Sequence, residues 1–250
     1  MSRIIQIQKT TLISSRNTWN EKKKILVILA HPDDPEFFCG ATLAKWAREG
    51  HQITYYLLTR GEKGTNADFS DTAHIKEIRE KEQKKAAGVI GVKQVLFSNN
   101  SDGFLEASIE VRKELVQVIR KEKPDIVVSC DPSNFYIHNE AINHPDHRAA
   151  GLTVIDSIFP AAQNNDFFPE LAQQGLMQHH VQELWLSLPK EANITIDVTS
   201  TWDIKIKALL EHKSQIGDAD AFQVHMKKRG KRIFGKTRYF EEFQQLIIRK

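Results

Sequence analysis

Two short turns carry most of the reactive side chains of this 250-residue chain: His31-Pro32-Asp33-Asp34 and, more than a hundred residues later, His144-Pro145-Asp146-His147. Adjacent carboxylates repel one another, and taking them out of water without a counter-charge is costly. Imidazole and carboxylate are suitable ligands for a borderline divalent ion such as Zn2+, and that ion would remove the repulsion. Four candidate ligands, His31, Asp34, His144 and His147, would close a tetrahedral site, whereas a hydrolytic site uses three and keeps a position open. One histidine is then free for another task, and spacing does not say which. Asp146 is well placed to receive the second ring N–H of a neighbouring histidine, and a histidine so held can stabilise an oxyanion or protonate a leaving amine. In the first turn one aspartate can bind the metal while its neighbour takes a proton from bound water. The set is that of a metal-assisted hydrolase.

Such a set works only if the chain brings the two turns together, and the pattern of elements does this. Strand-like runs at 24–30 (KILVILA), 52–58 (QITYYLL), 94–98 (QVLFS) and 125–130 (DIVVSC) alternate with helical stretches at about 40–50, 74–90, 109–121 and 144–159. This order predicts an α/β, Rossmann-like, mostly parallel sheet with helices on both faces and right-handed crossovers. Ligands of such sheets bind outside the carboxyl ends of the strands. HPDDPE, TRGEKG, SNNSDG and DPSNFYIHNEAINHPDH follow the four strands in turn, so both histidine turns belong to one sheet edge. Two further strands are expected at 181–187 and 193–198 and a helix at 202–214, before a polar, basic tail that closes with an amphipathic YFEEFQQLII. The reading is one domain over 1–250, with 1–23 as an N-terminal leader and 217–250 as a basic C-terminal extension.

With 40% hydrophobic and 27% charged residues the chain can bury one sizeable core. A net charge of +3 does not imply a nucleic-acid or membrane partner. The first residues lack an apolar signal-peptide region and no run of 18 apolar residues exists, so a cytoplasmic protein without membrane insertion is expected. Cys39 and Cys130 have no metal spacing and read as buried free thiols. The basic run KKRGKRIFGKTR at 227–238 suits solvent, a neighbouring subunit or a phosphate-bearing substrate, which leaves a homo-oligomer open. A nucleotide-binding module fits poorly, because the first loop lacks GxGxxG and puts carboxylates where a pyrophosphate would sit. A glycosidase is excluded, since adjacent carboxylates cannot flank a scissile bond. A non-catalytic, metal-dependent carbohydrate-binding protein is the other alternative, and it would not need Asp33.

AHPDD after the first strand, TRGE after the second, HPDHRAAG after the fourth and ALLEHKSQ at 208–215 together resemble the PIG-L/LmbE family of zinc-dependent N-acetylglucosaminyl de-N-acetylases. The resemblance runs from about residue 24 to 215. It implies that His31, Asp34 and His147 hold one Zn2+ per chain, with another divalent ion as a substitute, and that Asp33 is the general base acting on zinc-bound water. It implies that His144, oriented by Asp146, stabilises the oxyanion or assists the departing amine. The substrate would be a small-molecule amino-sugar conjugate, contacted by Glu62, Arg79 and Asp102. His212 in ALLEHKSQ is either a core histidine or lines the pocket with Gln215. The chain departs from the family pattern at Pro35, which is inserted into the first motif, and at Phe37 and Phe38, where smaller residues are common. It also carries Ile142 where some relatives have a tyrosine, so that catalytic help from a tyrosine comes from elsewhere, such as Tyr136, or is absent.

Overall fold

Ile25, Val27 and Leu29 pack on one side of the first core strand and Leu26, Ile28 and Ala30 on the other, and both sets are enclosed. A strand buried on both faces reads as a continuous apolar run, which is why KILVIL shows no polar alternation. Full burial of each such side chain contributes about 1.5–3 kcal/mol. The computed structural model describes residues 11–13, 19–64, 72–137 and 140–249, and most of the N-terminal leader lies outside the described residues.

Among the described residues the sheet has eight strands. In chain order they are β1 (Thr11–Ile13), β2 (Lys24–Leu29), β3 (Gln52–Thr59), β4 (Gln94–Asn100), β5 (Ile126–Cys130), β8 (Glu183–Ser187), β9 (Ile194–Asp197) and β12 (Phe240–Ile247). Two small hairpins stand apart, β6 (Tyr136–Ile137) with β7 (Ala141–Ile142) and β10 (Lys231–Ile233) with β11 (Lys236–Arg238). The spatial order is β1-β9-β12-β8-β5-β2-β3-β4, parallel throughout except for β12. Helices α1 (Asp34–Arg48), α2 (Thr72–Ile90) and α6 (Trp202–Leu209) pack together over one face, and α3 (Ile109–Glu122) packs with α4 (Pro145–Ile158) over the other. Shorter helices α5 (Pro169–Gln173) and α7 (Ala219–Lys228) complete the chain. No helix among the described residues is long and apolar enough to cross a membrane.

The strand order reverses at β2: the chain winds out through β3 and β4, then returns to β5 on the other side. Such a switch point opens a crevice at the carboxyl edge. The pairing Ile25↔Ile126 and Val27↔Val128 keeps the ends of β2 and β5 level, so the loops that follow them emerge side by side.

Three elements differ from the sequence reading. Helix α1 starts at Asp34 rather than near Gly40, because Pro35 suits the first turn of a helix, and the chain then kinks at Cys39 (φ −146°, ψ 15°). Helix α6 ends at Leu209, and residues up to Ser214 form turns instead of continuing it. The tail is more than an appendage, since FEEFQQLI forms β12 inside the sheet, antiparallel to both β8 and β9. Glu241 on this strand points inward, accepts from the N–H groups of Ala41 and Thr42 and pairs with Lys205 at 2.6 Å. The alternation Phe-Glu-Glu-Phe marks such a strand only when that buried carboxylate has its partners.

Candidate active site

At the end of β2 the chain turns sharply: Asp33 adopts φ 89°, ψ −27°, the left-handed region, and caps α1. For a residue with a side chain this costs about 1–3 kcal/mol, and such strain persists only where neighbours impose it. Arg79 on α2 is one of those neighbours. Its Nη2 donates to Pro32 O at 2.7 Å and to Asp33 Oδ2 at 3.2 Å, while Nη1 donates to Gly61 O at 2.6 Å. A Cβ on Gly61 would lie 2.2 Å from Arg79 Nη1, so the TRGEKG loop needs glycine to let the guanidinium pass.

The second turn opens α4, with His144 as its N-cap and Pro145 in the first turn. Gly151 of HPDHRAAG sets how close that helix comes to β5: an added Cβ would stand 2.3 Å from Cys130 O. That close approach delivers His147 to the crevice.

There the two turns meet. His31 Nδ1 lies 3.3 Å from His147 Nε2 and 3.4 Å from Asp34 Oδ2, and His147 Nε2 lies 3.1 Å from Asp34 Oδ1. The far nitrogen of each ring already has an acceptor. His31 Nε2 faces Asp102 Oδ1 at 3.1 Å and Asp146 Oδ2 at 3.2 Å, and His147 Nδ1 faces Asn143 Oδ1 at 3.0 Å. Those acceptors hold one N–H of each ring outward and turn the other nitrogen of each ring to Asp34. Tetrahedral ligands at roughly 2.0–2.1 Å from a Zn2+ stand roughly 3.3 Å apart, the spacing of the His31 and His147 nitrogens, with one Asp34 oxygen facing each; a nitrogen of His144 also lies within 4.8 Å of both rings.

The electrostatics support the same fit. Burial pushes His31 down, but the Asp34 charge and hydrogen bonds from Asp102, Asp146 and Asp34 outweigh it and hold the ring well above its ordinary value. Burial raises Asp34, and the charges of His147 and His31 overcome this and hold it far below the usual carboxylate range. Clustered carboxylates thus attract positive charge into a buried place, a charge that a divalent cation supplies directly. Asp33 goes the other way. Burial lifts it to about 6, with Arg79 restraining the rise and Asp34 adding to it.

Several expected roles are redistributed. The Asp146 carboxylate does not orient His144. It accepts from His31 and from the N–H groups of Gly103 and Leu105, and its Oδ1 is 4.0 Å from His144 Nδ1. His144 is instead oriented by the Asp146 backbone, whose N–H donates to Nδ1 at 3.2 Å. With Nδ1 accepting, the hydrogen of the neutral ring sits on Nε2. Burial and the charge of His31 lower His144, which favours that neutral form. Asp102 is enclosed against His31 and the N–H of Lys63, and Glu62 accepts the N–H of Asp102 through Oε1 while its buried Oε2 has no hydrogen-bond partner among the described residues. Arg79, only 3% exposed, holds Pro32, Asp33 and Gly61 through its two Nη groups, and its Nε likewise has no partner among the described residues. His212 does not line a pocket, since it is fully buried with Nε2 at 3.2 Å from Glu36 Oε2. Gln215 donates to Gly64 O, and Tyr136 is exposed in the β6–β7 hairpin.

Two buried residues escaped the sequence reading. Asn143, immediately before the second histidine turn, aligns His147 while its own amide donates to Asn134 O. Gln83 accepts from the Asp33 N–H at 2.8 Å. The signal for Asn143 was its place beside HPDH, whereas Gln83 in a charged helix gave none.

Beside the crevice lies a cavity of about 710 Å3, walled by Phe37, Phe38, Phe135, Tyr136 and Phe240 with Lys190, Arg229 and Lys231 at its margin. Phe38 links it to the histidines, standing edge-on to His147 with ring centres 5.1 Å apart. Both members of the aromatic pair that departs from the family pattern therefore line the cavity, and Phe38 is the one that reaches His147.

Residues 26–158 match the family described as PIG-L: GlcNAc-PI de-N-acetylase. Diacetylchitobiose deacetylase of Thermococcus kodakarensis is 35% identical over 198 residues, 79% of this chain and 72% of that protein. A probable N-acetyl-alpha-D-glucosaminyl L-malate deacetylase 2 of Bacillus anthracis is 26% identical over 78% of this chain and 82% of its own length. Among solved structures, N,N'-diacetylchitobiose deacetylase from Pyrococcus horikoshii superposes with a TM-score of 0.80 at 31% identity, covering 90% of this chain and 84% of that one.

Proposed function

The chain belongs to the PIG-L family, and on that premise we propose that it is a metal-dependent hydrolase that removes the N-acetyl group from an N-acetylglucosamine-type sugar conjugate. The observation that carries this reading is the convergence of His31 Nδ1, the two Asp34 oxygens and His147 Nε2 at 3.1, 3.3 and 3.4 Å, next to the partly buried carboxylate of Asp33. His31, Asp34 and His147 would hold a Zn2+, which when bound supplies a Lewis acid able to bring the pKa of water toward about 7 and to polarise a carbonyl oxygen.

The chain's own residues do the rest. Arg79 occupies Asp33 Oδ2, which leaves Oδ1 to take the proton of the attacking water. A carboxylate with a value of about 6 is basic enough for that transfer and still ionised at neutral pH. His144, exposed toward the crevice, donates from Nε2–H to the acetyl oxygen as negative charge gathers there. The water oxygen bonds to the acyl carbon and the C–N bond breaks. Asp33 passes its proton to the departing amine, and acetate and a free amino sugar leave. The cavity beyond Phe38 has room for the remainder of the conjugate.

The test is metal analysis of the purified protein together with acetate release from N-acetylglucosamine, diacetylchitobiose, and malate and inositol conjugates of N-acetylglucosamine. One metal ion per chain and acetate from at least one conjugate are expected. Metal and sugar binding without acetate from any of them would point to the non-catalytic carbohydrate-binding alternative.

A further inference from the structure

We propose that Gln83, locked by Glu36 and His212, is a positioning residue that holds the general base Asp33 in its working orientation; the inference rests on the de-N-acetylase reading above. The Pro32–Asp33 peptide has one oxygen and one N–H, and each is held by a different side chain of α2. Arg79 Nη2 donates to the oxygen at 2.7 Å and Gln83 Oε1 accepts from the N–H at 2.8 Å. Residues four apart on a helix share a face, so Arg79 and Gln83 act as two jaws of one clamp. The gripped peptide leads directly into the residue at φ 89°.

A glutamine grips an N–H only if its amide faces the right way, and Glu36 enforces this. Gln83 Nε2 donates to the two Glu36 oxygens at 3.0 and 3.1 Å. A carboxylate accepts only, so Nε2 must face Glu36 and Oε1 must face Asp33. His212 Nε2, 3.2 Å from Glu36 Oε2, fixes the carboxylate in turn. Gln83, Glu36 and His212 are all fully buried, and among the described residues this row of polar groups reaches the reactive crevice through the Asp33 N–H. An apolar side chain would fill the same space without the cost of burying an acid, an amide and an imidazole. The row accounts for Glu36 in HPDDPE and for His212 in ALLEHKSQ, which the ligand set leaves without a task.

The test pairs Gln83→Ala and the near-isosteric Gln83→Met with Asp33→Asn. Each Gln83 variant is expected to lower kcat about 100-fold while KM stays within about twofold and metal content stays at the wild-type level. In the Asp33→Asn background the same Gln83 change is expected to alter kcat by less than about twofold, because the group it positions is already disabled. Losses that multiply in the double variant, or a change in KM in place of kcat, would overturn the proposal. A crystal structure of Gln83→Met reads the clamp without activity: Asp33 should leave the left-handed region, and its retention there would also refute the role. If no conjugate releases acetate, the functional reading fails, and that structure still decides whether the clamp exists.

Discussion

His147 Nε2 stands 3.1 Å from Asp34 Oδ1, joining a turn after β2 to the first turn of α4. Neither turn could hold a divalent cation alone. Their juxtaposition depends on β2 and β5 being neighbours at the switch point and on Gly151 letting α4 settle against Cys130 O.

Separate roles for ligand and base predict separable losses. His147→Ala should abolish stoichiometric metal, measured by mass spectrometry of the purified protein. Asp33→Ala should retain the metal and lose at least about 100-fold in kcat, the scale of general-base catalysis. Near-normal turnover of Asp33→Ala would remove Asp33 from the reaction.

The pH profile carries a sign. Burial raises Asp33 to about 6, restrained by Arg79, and the reaction requires its ionised form. Activity should therefore fall as pH drops through that value, and a bound cation, adding positive charge, moves the midpoint lower still. Arg79→Gln removes the restraint and should shift the acid limb upward. An unmoved limb in that variant would show that another group titrates.

His212 makes a stability prediction. Burial lowers this imidazole, but the hydrogen bond and charge of Glu36, with the charges of Asp33 and Glu82, leave it raised. The folded state then holds the proton more tightly than the unfolded chain, so its contribution is complete below about pH 6.5 and is lost as pH rises through the folded-state value. His212→Gln should cost about 3 kcal/mol near pH 6, as expected when one partner of a buried pair is removed. The deficit in urea unfolding should shrink as pH rises through that folded-state value, and a deficit independent of pH would mean that packing alone is at stake.

Asn143 offers a test on metal affinity. It accepts the His147 Nδ1–H at 3.0 Å and so keeps Nε2 free for a cation. Asn143→Ala should weaken metal binding about 10–100-fold, measured by competition with a chelator. Unchanged affinity would assign the alignment of His147 to helix α4 alone.

The strand patterns and the two histidine turns were legible because both rest on local rules: a doubly buried strand is apolar throughout, and Pro at a helix start follows a turn. HPDD and HPDH, in the loops after β2 and β5, thus marked one edge of the sheet. The chain alone did not tell which acceptor each polar atom would meet. Asp146 turned to His31 rather than His144, and Arg79 turned to the Pro32–Asp33 peptide. FEEFQQLI entered the sheet as β12 because Lys205 and the N–H groups of Ala41 and Thr42 in α1 accommodate Glu241. Periodicity states which face of an element is buried; the partner of a buried charge is chosen by packing between segments remote in sequence, and only the folded structure decides it.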